Sequence, residues 1–295
     1  MLAAATALLL LTMPPAPTAD ASYRAEIETW RAARAARLQA PDGWLSVIGL
    51  YWLEPGPNAV GSSPDSRVRL PGVPPKLASI ALPPAGAAGT ATLTPADAEG
   101  LTADGKPVSG PIALSTDADA QPTMLARGTL LFYLIQRGDR VGVRVKDSAS
   151  EARRSFHGIP SFPIDPAWRI EARFEPYDPP KSISVPNVLG QQDPEPSPGA
   201  LVFERDGKTY RLDPVLERGE TDYFVIFGDR TNGTDTYGAG RFLYVAPPVG
   251  GKTVIDFNKA YNPPCVFTEY ATCPLPPPQN KLPIRIEAGE KEYAP

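Results

Sequence analysis

The sequence predicts a mainly β protein: an antiparallel barrel or sandwich with an N-terminal helix and a proline-rich C-terminal cover. Three observations support this class. Prolines number 37 and glycines 25 among 295 residues, a composition that excludes a helical bundle or coiled coil. A hydrophobic fraction of 42% with four tryptophans argues against disorder. Short β-rich runs follow one another without helical periods between them, which indicates antiparallel sheets rather than βαβ units.

The N-terminal segment predicts export. Residues 2–13 are apolar apart from two threonines, and this run is too short to cross a bilayer, which takes about 20 residues. Ala19-Asp20-Ala21 is a small-x-small cleavage site, so residues 1–21 are predicted to be a signal peptide. The expected location is periplasmic or extracellular. The alternative is a disordered alanine-rich tail.

A helix is predicted next, with Ser22 as its N-cap and Pro41 and Gly43 after its end. Apolar side chains recur on one of its faces: Tyr23, Ile27, Trp30, Ala33 and Leu38. The opposite face carries Arg24, Glu28, Arg31 and Arg37. We interpret that charged face as solvated.

Strands are predicted from residue 44 onward. The first is residues 44–53, and weaker strands lie at 68–70, 79–82 and 90–93. Residues 129–147 form the clearest hairpin, turning at Gly138-Asp139. Its second arm alternates in polarity. Val141, Val143 and Val145 fall on one face, and Gly142, Arg144 and Lys146 fall on the other.

Further strands are predicted toward the C-terminus. Residues 168–177 alternate in polarity, and Asp206-Gly207 predicts a type I′ hairpin within residues 201–212. Three more β runs cover residues 222–229, 240–247 and 253–258. Prolines are expected between strands and hardly ever inside them, because proline cannot donate to the ladder. We predict one domain over residues 22–295, in which 55–123 forms a decorated subdomain.

Composition and motifs exclude several function classes. The 29 basic residues against 33 acidic ones give a net charge of −4, which provides no basic field for nucleic acid. No membrane span is predicted in the mature chain. Nucleophile-elbow, zinc-protease and Walker A motifs are absent, and His157 is the single histidine. The sequence therefore predicts no metal site and specifies neither a cofactor nor an oligomeric state.

Cys265 and Cys273 are the two cysteines. An even count in an exported chain predicts one disulfide. Two buried thiols, or a reactive or metal-binding pair, are the alternatives.

Polar side chains concentrate near the C-terminus, around residues 229–262. They offer a cation, carboxylates, amides and hydroxyls, the groups that line a small-molecule site. The candidate ligand-binding residues are Asp229, Thr231, Thr236, Tyr237, Arg241, Asp256, Asn258 and Asn262. Arg241 would bind a carboxylate or phosphate, or else pair with Asp229 or Asp256.

Three other interpretations of this segment remain. Asp229 and Asp256 could be the acid and base of an extracytoplasmic hydrolase. Asp229, Asn232 and Asp235 could supply oxygen ligands to calcium. The segment could also be a proline-stiffened lid without a pocket, in which Asp256 and Asn258 cap a turn.

Two C-terminal blocks resemble a bacterial family known only as domain of unknown function 1684. They are GDRTNGTDTYGAGRFLYV (228–245) and residues 256–293, in which DFNKAYNPPC is followed by CPLPPPQN. The resemblance extends to residues 41–62, 137–165 and 168–172. It implies a β-rich protein and no particular activity. In the family pattern the position of His157 is not a fixed histidine.

Overall fold

The computed structural model describes residues 19–84, 89–119 and 121–294. It confirms a mainly β protein with an N-terminal helix. The helices are α1 (Ala19–Gln39) and α2 (Glu151–Arg154). The strands are β1 (Val47–Trp52), β2 (Gly56–Gly61), β3 (Val68–Arg69), β4 (Ala78–Leu82), β5 (Ala91–Pro95), β6 (Thr102–Ala103), β7 (Lys106–Pro107), β8 (Ile112–Leu114), β9 (Leu125–Arg127), β10 (Leu130–Arg137), β11 (Arg140–Asp147), β12 (Arg169–Pro186), β13 (Gln192–Arg205), β14 (Lys208–Leu212), β15 (Tyr223–Phe227), β16 (Arg241–Val245) and β17 (Lys252–Asp256).

These strands form four sheets among the described residues. A six-stranded sheet has the order β1-β11-β10-β9-β6-β7, and a five-stranded sheet has the order β3-β2-β4-β5-β8. Both are built from residues 47–147, which we call the N-terminal region. Residues 168–290, the C-terminal region, form the sheet β14-β13-β12-β17 and the two-stranded sheet β15-β16. Every strand pair is antiparallel except β2 with β3.

Each region has its own apolar core. The two sheets of the N-terminal region enclose a cluster that runs from Leu53 to Val145 and includes Leu93 and Phe132. A second cluster, from Trp168 to Ala288, fills the C-terminal region. Both clusters follow the period-2 alternation of strands, which directs every second side chain inward.

The helix α1 docks through its polar face as well as its apolar one. Ile27 and Leu38 are its buried apolar residues. Arg24 donates to the carbonyl of Ile164 at 2.9 Å, and Arg31 donates to that of Phe162 at 2.9 Å. The interpretation of a solvated face holds for Arg24, which stays exposed, and was wrong for Arg31, which is half-buried. They satisfy carbonyl groups of a segment without strands, which the helical period alone does not reveal.

The helix begins earlier than predicted. Ala19 is its first residue among those described, so Ser22 lies inside α1 rather than at its cap. Most of the predicted signal peptide, residues 1–18, lies outside the described residues. No helix within residues 19–84, 89–119 and 121–294 is long and apolar enough to span a membrane.

Two predicted hairpins are confirmed. β10 and β11 pair across Gly138-Asp139. β13 and β14 pair across Asp206-Gly207, where both residues have positive φ, 50° and 70°. Positive φ at both central positions defines the type I′ turn.

The expectation that strands exclude proline was wrong. β12 and β13 extend into a long two-stranded arm, and β13 holds Pro194, Pro196 and Pro198. Alternate residues of a strand direct their N–H groups to opposite edges. The prolines therefore occupy positions that do not donate to the partner strand, and the residues between them make the hydrogen bonds of the ladder. Ile183 and Val185 on the arm are buried in a third apolar cluster.

The strands β15 and β16 separate two environments. Phe224, Phe242 and other side chains of one face join the third cluster. Phe227 and Leu243, on the opposite face, enter the C-terminal core. Arg241 pairs with Phe227 in the ladder, and its guanidinium lies 5.4 Å from that ring. Consequently, this two-stranded sheet holds Arg241 on the side away from the aromatic residues described below.

Candidate functional site

The predicted polar residues are divided among three hydrogen-bonded networks. In the first, Arg241 Nη2 donates to Asp229 Oδ2 at 2.8 Å. Thr231 donates to Asp229 Oδ1 through both its backbone N–H, at 2.8 Å, and its hydroxyl, at 2.6 Å. The hydroxyl oxygens of Thr231 and Thr236 are 2.8 Å apart. The turn after β15 is thereby built around the Asp229 carboxylate.

Arg241 also holds the segment that follows β17. Its guanidinium donates to the backbone carbonyls of Ile286, Ala288 and Glu290. The side chain is fully buried, and burial lowers the pKa of Arg241 while the Asp229 carboxylate opposes that shift. Of the two uses predicted for Arg241, the structure has the pairing with Asp229, and its guanidinium does not reach solvent.

The second network joins α1 to the end of β17. Asp256 caps a short turn by accepting from the backbone N–H of Asn258 at 3.1 Å, as predicted. The same oxygen accepts from the Tyr23 hydroxyl at 2.8 Å, and burial together with Asp256 raises the pKa of Tyr23. Asn258 exchanges two hydrogen bonds with the backbone of Asp165, at 3.0 and 2.8 Å.

The third network surrounds Asn262. Its backbone N–H donates to Glu290 Oε2 at 2.6 Å, and its amide donates to the carbonyl of Lys291 at 2.7 Å. Arg34 of α1 pairs with Glu290 at 3.2 Å and donates to the carbonyl of Asn262 at 2.9 Å. Burial raises the pKa of Glu290, and the nearby Arg34 opposes that effect. Again the polar groups connect protein segments to each other.

The remaining candidates do not assemble into one site. Asp229 and Asp256 belong to different networks and share no hydrogen-bond partner. Tyr237 is half-buried, and its carbonyl accepts from the Asn232 amide at 3.0 Å. Asp235 pairs with Arg285 at 2.6 Å, so the oxygens considered for calcium already have protein donors. Within the described residues, no group of three or more histidines, cysteines or carboxylates could hold a metal ion.

A cavity of about 530 Å³ lies beside the Asp229 turn. Its lining includes Arg230, Gly240, Pro276 and Lys281. The Asp229 side chain is fully buried and committed to Arg241. Of the predicted ligand-binding residues, Asp229 is the one in the lining of this cavity, and the others lie elsewhere.

A larger cavity, of about 580 Å³, lies where the two regions meet α1. We call it the aromatic pocket. Its residues come from α1, the segment before β1, the hairpin β10–β11, the strands β15 and β16, and the loop around the cysteines. They are Trp30, Ala33, Arg34, Arg37, Trp44, Arg137, Arg144, Glu217, Phe224, Phe242, Tyr244, Tyr261, Pro264, Thr272, Cys273 and Pro274.

Four rings form one wall of this pocket. Phe224 stacks on Tyr244 with centroids 5.0 Å apart and meets Phe242 edge-on at 4.9 Å. Tyr261 lies 5.8 Å from Phe242 and 6.3 Å from Tyr244. Strand alternation places three of them on one face of β15–β16. Aromatic walls of this kind offer a large apolar contact surface, and few side-chain rotamers have to be fixed when a ligand binds.

Arg144 is the unusual side chain of the pocket. It lies on β11, on the face opposite Val143 and Val145, and only 4% of its surface is exposed. Its guanidinium lies 5.0 Å from the Trp44 ring. Its Nε and Nη2 atoms are buried and have no hydrogen-bond partner among the described residues. A buried cation without a counter-ion is costly, and the Trp44 ring offsets part of that cost.

The other pocket arginines already have acidic partners. Arg34 pairs with Glu290 at 3.2 Å, Arg37 with Asp42 at 2.9 Å, and Arg137 with Asp117 at 2.9 Å. Arg137 also donates to Thr272 at 3.0 Å. These pairs leave Arg144 as the uncompensated arginine.

Cys265 and Cys273 lie at disulfide distance, with Cα atoms 6.2 Å apart. The arm contacts this loop, since Val188 donates its backbone N–H to the carbonyl of Cys273 at 3.1 Å. Cys273 itself lines the aromatic pocket. The cysteine pair is thus positioned to fix one wall of that cavity.

Sequence reasoning did not single out Arg144, Glu217 or the tryptophans as residues of a pocket. The one available signal was the alternation in β11, which places Arg144 opposite the valines of a buried strand. An arginine on the second face of a sheet is most often solvated. Only the packing of α1 and β15–β16 against that face encloses it.

Comparisons with known proteins identify a family and a distant structural relative. The family model described as "Protein of unknown function (DUF1684)" matches residues 154–291. The resembling segments at 41–62 and 137–153 lie outside that match. An uncharacterized protein of Haloarcula marismortui, solved by solution NMR, is 30% identical over 47% of this chain and 78% of its own, with a TM-score of 0.40. No curated protein matches the chain.

Proposed function

Since the chain belongs to the DUF1684 family of proteins of unknown function, we propose its function from the geometry: it binds a small molecule with an anionic group in the aromatic pocket. Arg144 is the residue that receives the anion. The apolar part of the ligand rests on the rings of β15, β16 and Tyr261.

The observation that carries the proposal is the unpaired guanidinium of Arg144. Arg144 lines the pocket, and its guanidinium is a cation that suits a carboxylate or phosphate. No carboxylate of the described residues lies within ion-pair distance of it. An anion bound in the pocket would be its counter-ion, and this gain favours binding.

The pocket also has suitable size and chemistry. Ligand sites enclose about 300–1,000 Å³ and are lined mainly by aromatic and apolar groups with few polar ones. The volume of about 580 Å³ and the ring wall agree with this description. The site lies beside Tyr261, within the segment predicted to bind a ligand, although the polar residues predicted there serve the three networks.

Hydrolysis by Asp229 and Asp256 is not part of the proposal. A glycosidase-like pair needs both carboxylates facing one substrate. Asp229 is committed to Arg241 and Asp256 to Tyr23 and Asn258.

The test uses anilinonaphthalene sulfonate, an aromatic anion whose fluorescence rises on binding. Wild-type protein is titrated beside Arg144→Met, which keeps much of the side-chain volume and removes the charge. The substitution is expected to weaken binding about tenfold or more, as loss of a charge-assisted hydrogen bond would. Uncharged anilinonaphthalene should bind both proteins equally.

Arg140→Met is the matched control. Arg140 belongs to the same strand and also lies over a tryptophan, Trp52, at 4.0 Å, but it is outside the aromatic pocket. This variant should bind the dye as the wild type does. Equal affinities for wild type and Arg144→Met would refute the proposal.

We propose further that the protein is exported and that Cys265 and Cys273 are oxidised. The cysteine pair at disulfide distance supports this, as does the apolar segment at residues 2–13. Protein recovered from its natural compartment should lack free thiols in a non-reducing mass measurement and should begin near Ser22. A reduced, unprocessed chain would contradict export.

A further inference from the structure

The aromatic pocket contains a second charged group without an ion partner. Glu217 lies between β14 and β15 and lines the same cavity. It accepts one hydrogen bond, from the Tyr244 hydroxyl to Oε2 at 2.7 Å. Among the described residues, no arginine or lysine lies within ion-pair distance of its carboxylate.

Five charged residues line the pocket, and their pairing divides them into two classes. Arg34, Arg37 and Arg137 each have a carboxylate partner outside the lining. Arg144 and Glu217 have none, and they do not pair with each other. The cavity therefore presents one free positive group and one free negative group that are kept apart.

The surroundings of Glu217 favour a cation. The Tyr244 ring lies beside it and stacks with Tyr261, which already holds the Arg34 guanidinium 4.7 Å from its centroid. Burial raises the pKa of Glu195 on the arm, and the carboxylates of Asp193 and Glu217 add to that shift. Glu217 is thus the carboxylate among the pocket residues, whereas Arg144 supplies positive charge from β11.

We propose that the ligand is a zwitterion with an apolar body: it carries an anionic group for Arg144 and an ammonium group for Glu217. This inference rests on the proposed function, because it concerns the same pocket. Glu217 is then a specificity residue. It favours ligands with a positive charge and disfavours dianions through like-charge repulsion.

Three probes of matched shape test the inference by calorimetric titration. Phenylalanine carries both charges, 3-phenylpropanoate carries the anion alone, and phenethylamine carries the cation alone. Wild-type protein should bind phenylalanine about tenfold more tightly than 3-phenylpropanoate, since one charge-assisted hydrogen bond distinguishes them. Phenethylamine should be the weakest of the three.

Glu217→Gln separates the two charges. This variant should lose the preference for phenylalanine and bind 3-phenylpropanoate at least as tightly as the wild type. Glu220→Gln is the control, because Glu220 lies in the same segment, is exposed and is absent from the pocket lining. It should leave all three affinities unchanged.

The outcomes distinguish this inference from the proposed function. If 3-phenylpropanoate binds in an Arg144-dependent manner but the ammonium group adds nothing, the zwitterion inference fails and anion binding stands. If Glu217→Gln weakens both acids equally, Glu217 supports the fold of the pocket and the inference also fails. If no probe, the sulfonate dye included, depends on Arg144, both proposals fail.

Discussion

The N-terminal and C-terminal regions are stabilised in different ways. Between its two sheets the N-terminal region buries an apolar cluster, and Asn58 is the main polar side chain held within it. The C-terminal region buries its own apolar cluster beside an ion pair, several amides and three threonines. The stability of the N-terminal region therefore depends on the shape and area of its buried apolar side chains. The stability of the C-terminal region depends also on the geometry of its buried hydrogen bonds.

This difference indicates what each region tolerates. Apolar packing is non-directional, so a volume-conserving exchange preserves most of it. A buried polar network is directional, and removing one member leaves its partners unsatisfied. The same replacement residue, methionine, should consequently destabilise the two regions to very different extents.

The largest effect is expected for Arg241→Met. The substitution leaves the Asp229 carboxylate buried without its partner and frees the carbonyls of Ile286, Ala288 and Glu290. Breaking a buried pair on one side costs about 3–5 kcal/mol. Urea denaturation should show the corresponding loss in the free energy of unfolding.

A double variant sharpens that result. Adding Asp229→Asn to Arg241→Met removes the unpaired charge, so the double variant should be less destabilised than the two single changes summed. Strict additivity would mean that the two side chains do not form one unit, and the contrast between the regions would then weaken.

A smaller effect is expected for Leu93→Met in the N-terminal region. Leu93 is fully buried on β5 among other aliphatic side chains. A volume-conserving exchange there should cost less than about 1.5 kcal/mol. If the same denaturation experiment gave a loss as large as that of Arg241→Met, the N-terminal core would be as specific as the polar networks.

The smallest effect concerns pH at Lys146 of β11, which donates to the carbonyl of Asp42 before β1. Burial lowers the pKa of Lys146 to about 8 from its usual 10.5. Between these pH values the unfolded chain binds more protons than the folded one, so the free energy of unfolding rises with pH. Lys146→Met should remove this slope and add about 1 kcal/mol at neutral pH, after discounting for solvent exposure.

The measured quantity is the difference in the free energy of unfolding between Lys146→Met and the wild type at each pH. Taking the difference removes the contribution of tyrosines, which also titrate in this range. A difference that is constant between pH 8 and 10.5 would show that Lys146 is not desolvated. This edge of the N-terminal region would then be open to water.

Much of the fold follows from local signals. The β10–β11 and β13–β14 hairpins were predicted because Gly138 and the Asp206-Gly207 pair supply the positive φ that tight turns need. The arm of β12 and β13 was missed because its prolines conceal strand character. Their alternate spacing, which fits one edge of a ladder, becomes evident only once the partner strand is known.

The site was less predictable, for a physical reason. Asp229, Arg241 and Asn262 were correctly recognised as a concentration of polar groups, but sequence does not distinguish a group that binds the chain itself from one that awaits a ligand. Arg144 carried no polar neighbours in sequence. Its importance comes from missing partners, a property that belongs to three-dimensional packing.

Arg241 binds carbonyl groups that lie later in the sequence, so its contacts constrain the order in which the two regions can fold. Chains are synthesised and translocated from the N-terminus, and the carbonyls at 286–290 emerge well after the strand that carries Arg241. Until they arrive, the charge of Arg241 has Asp229 but lacks its three backbone acceptors. The apolar cluster of the N-terminal region contains no residue after Val145. Vectorial emergence would therefore allow the core of the first region to form early, whereas the second region is completed only when residues 286–290 have emerged.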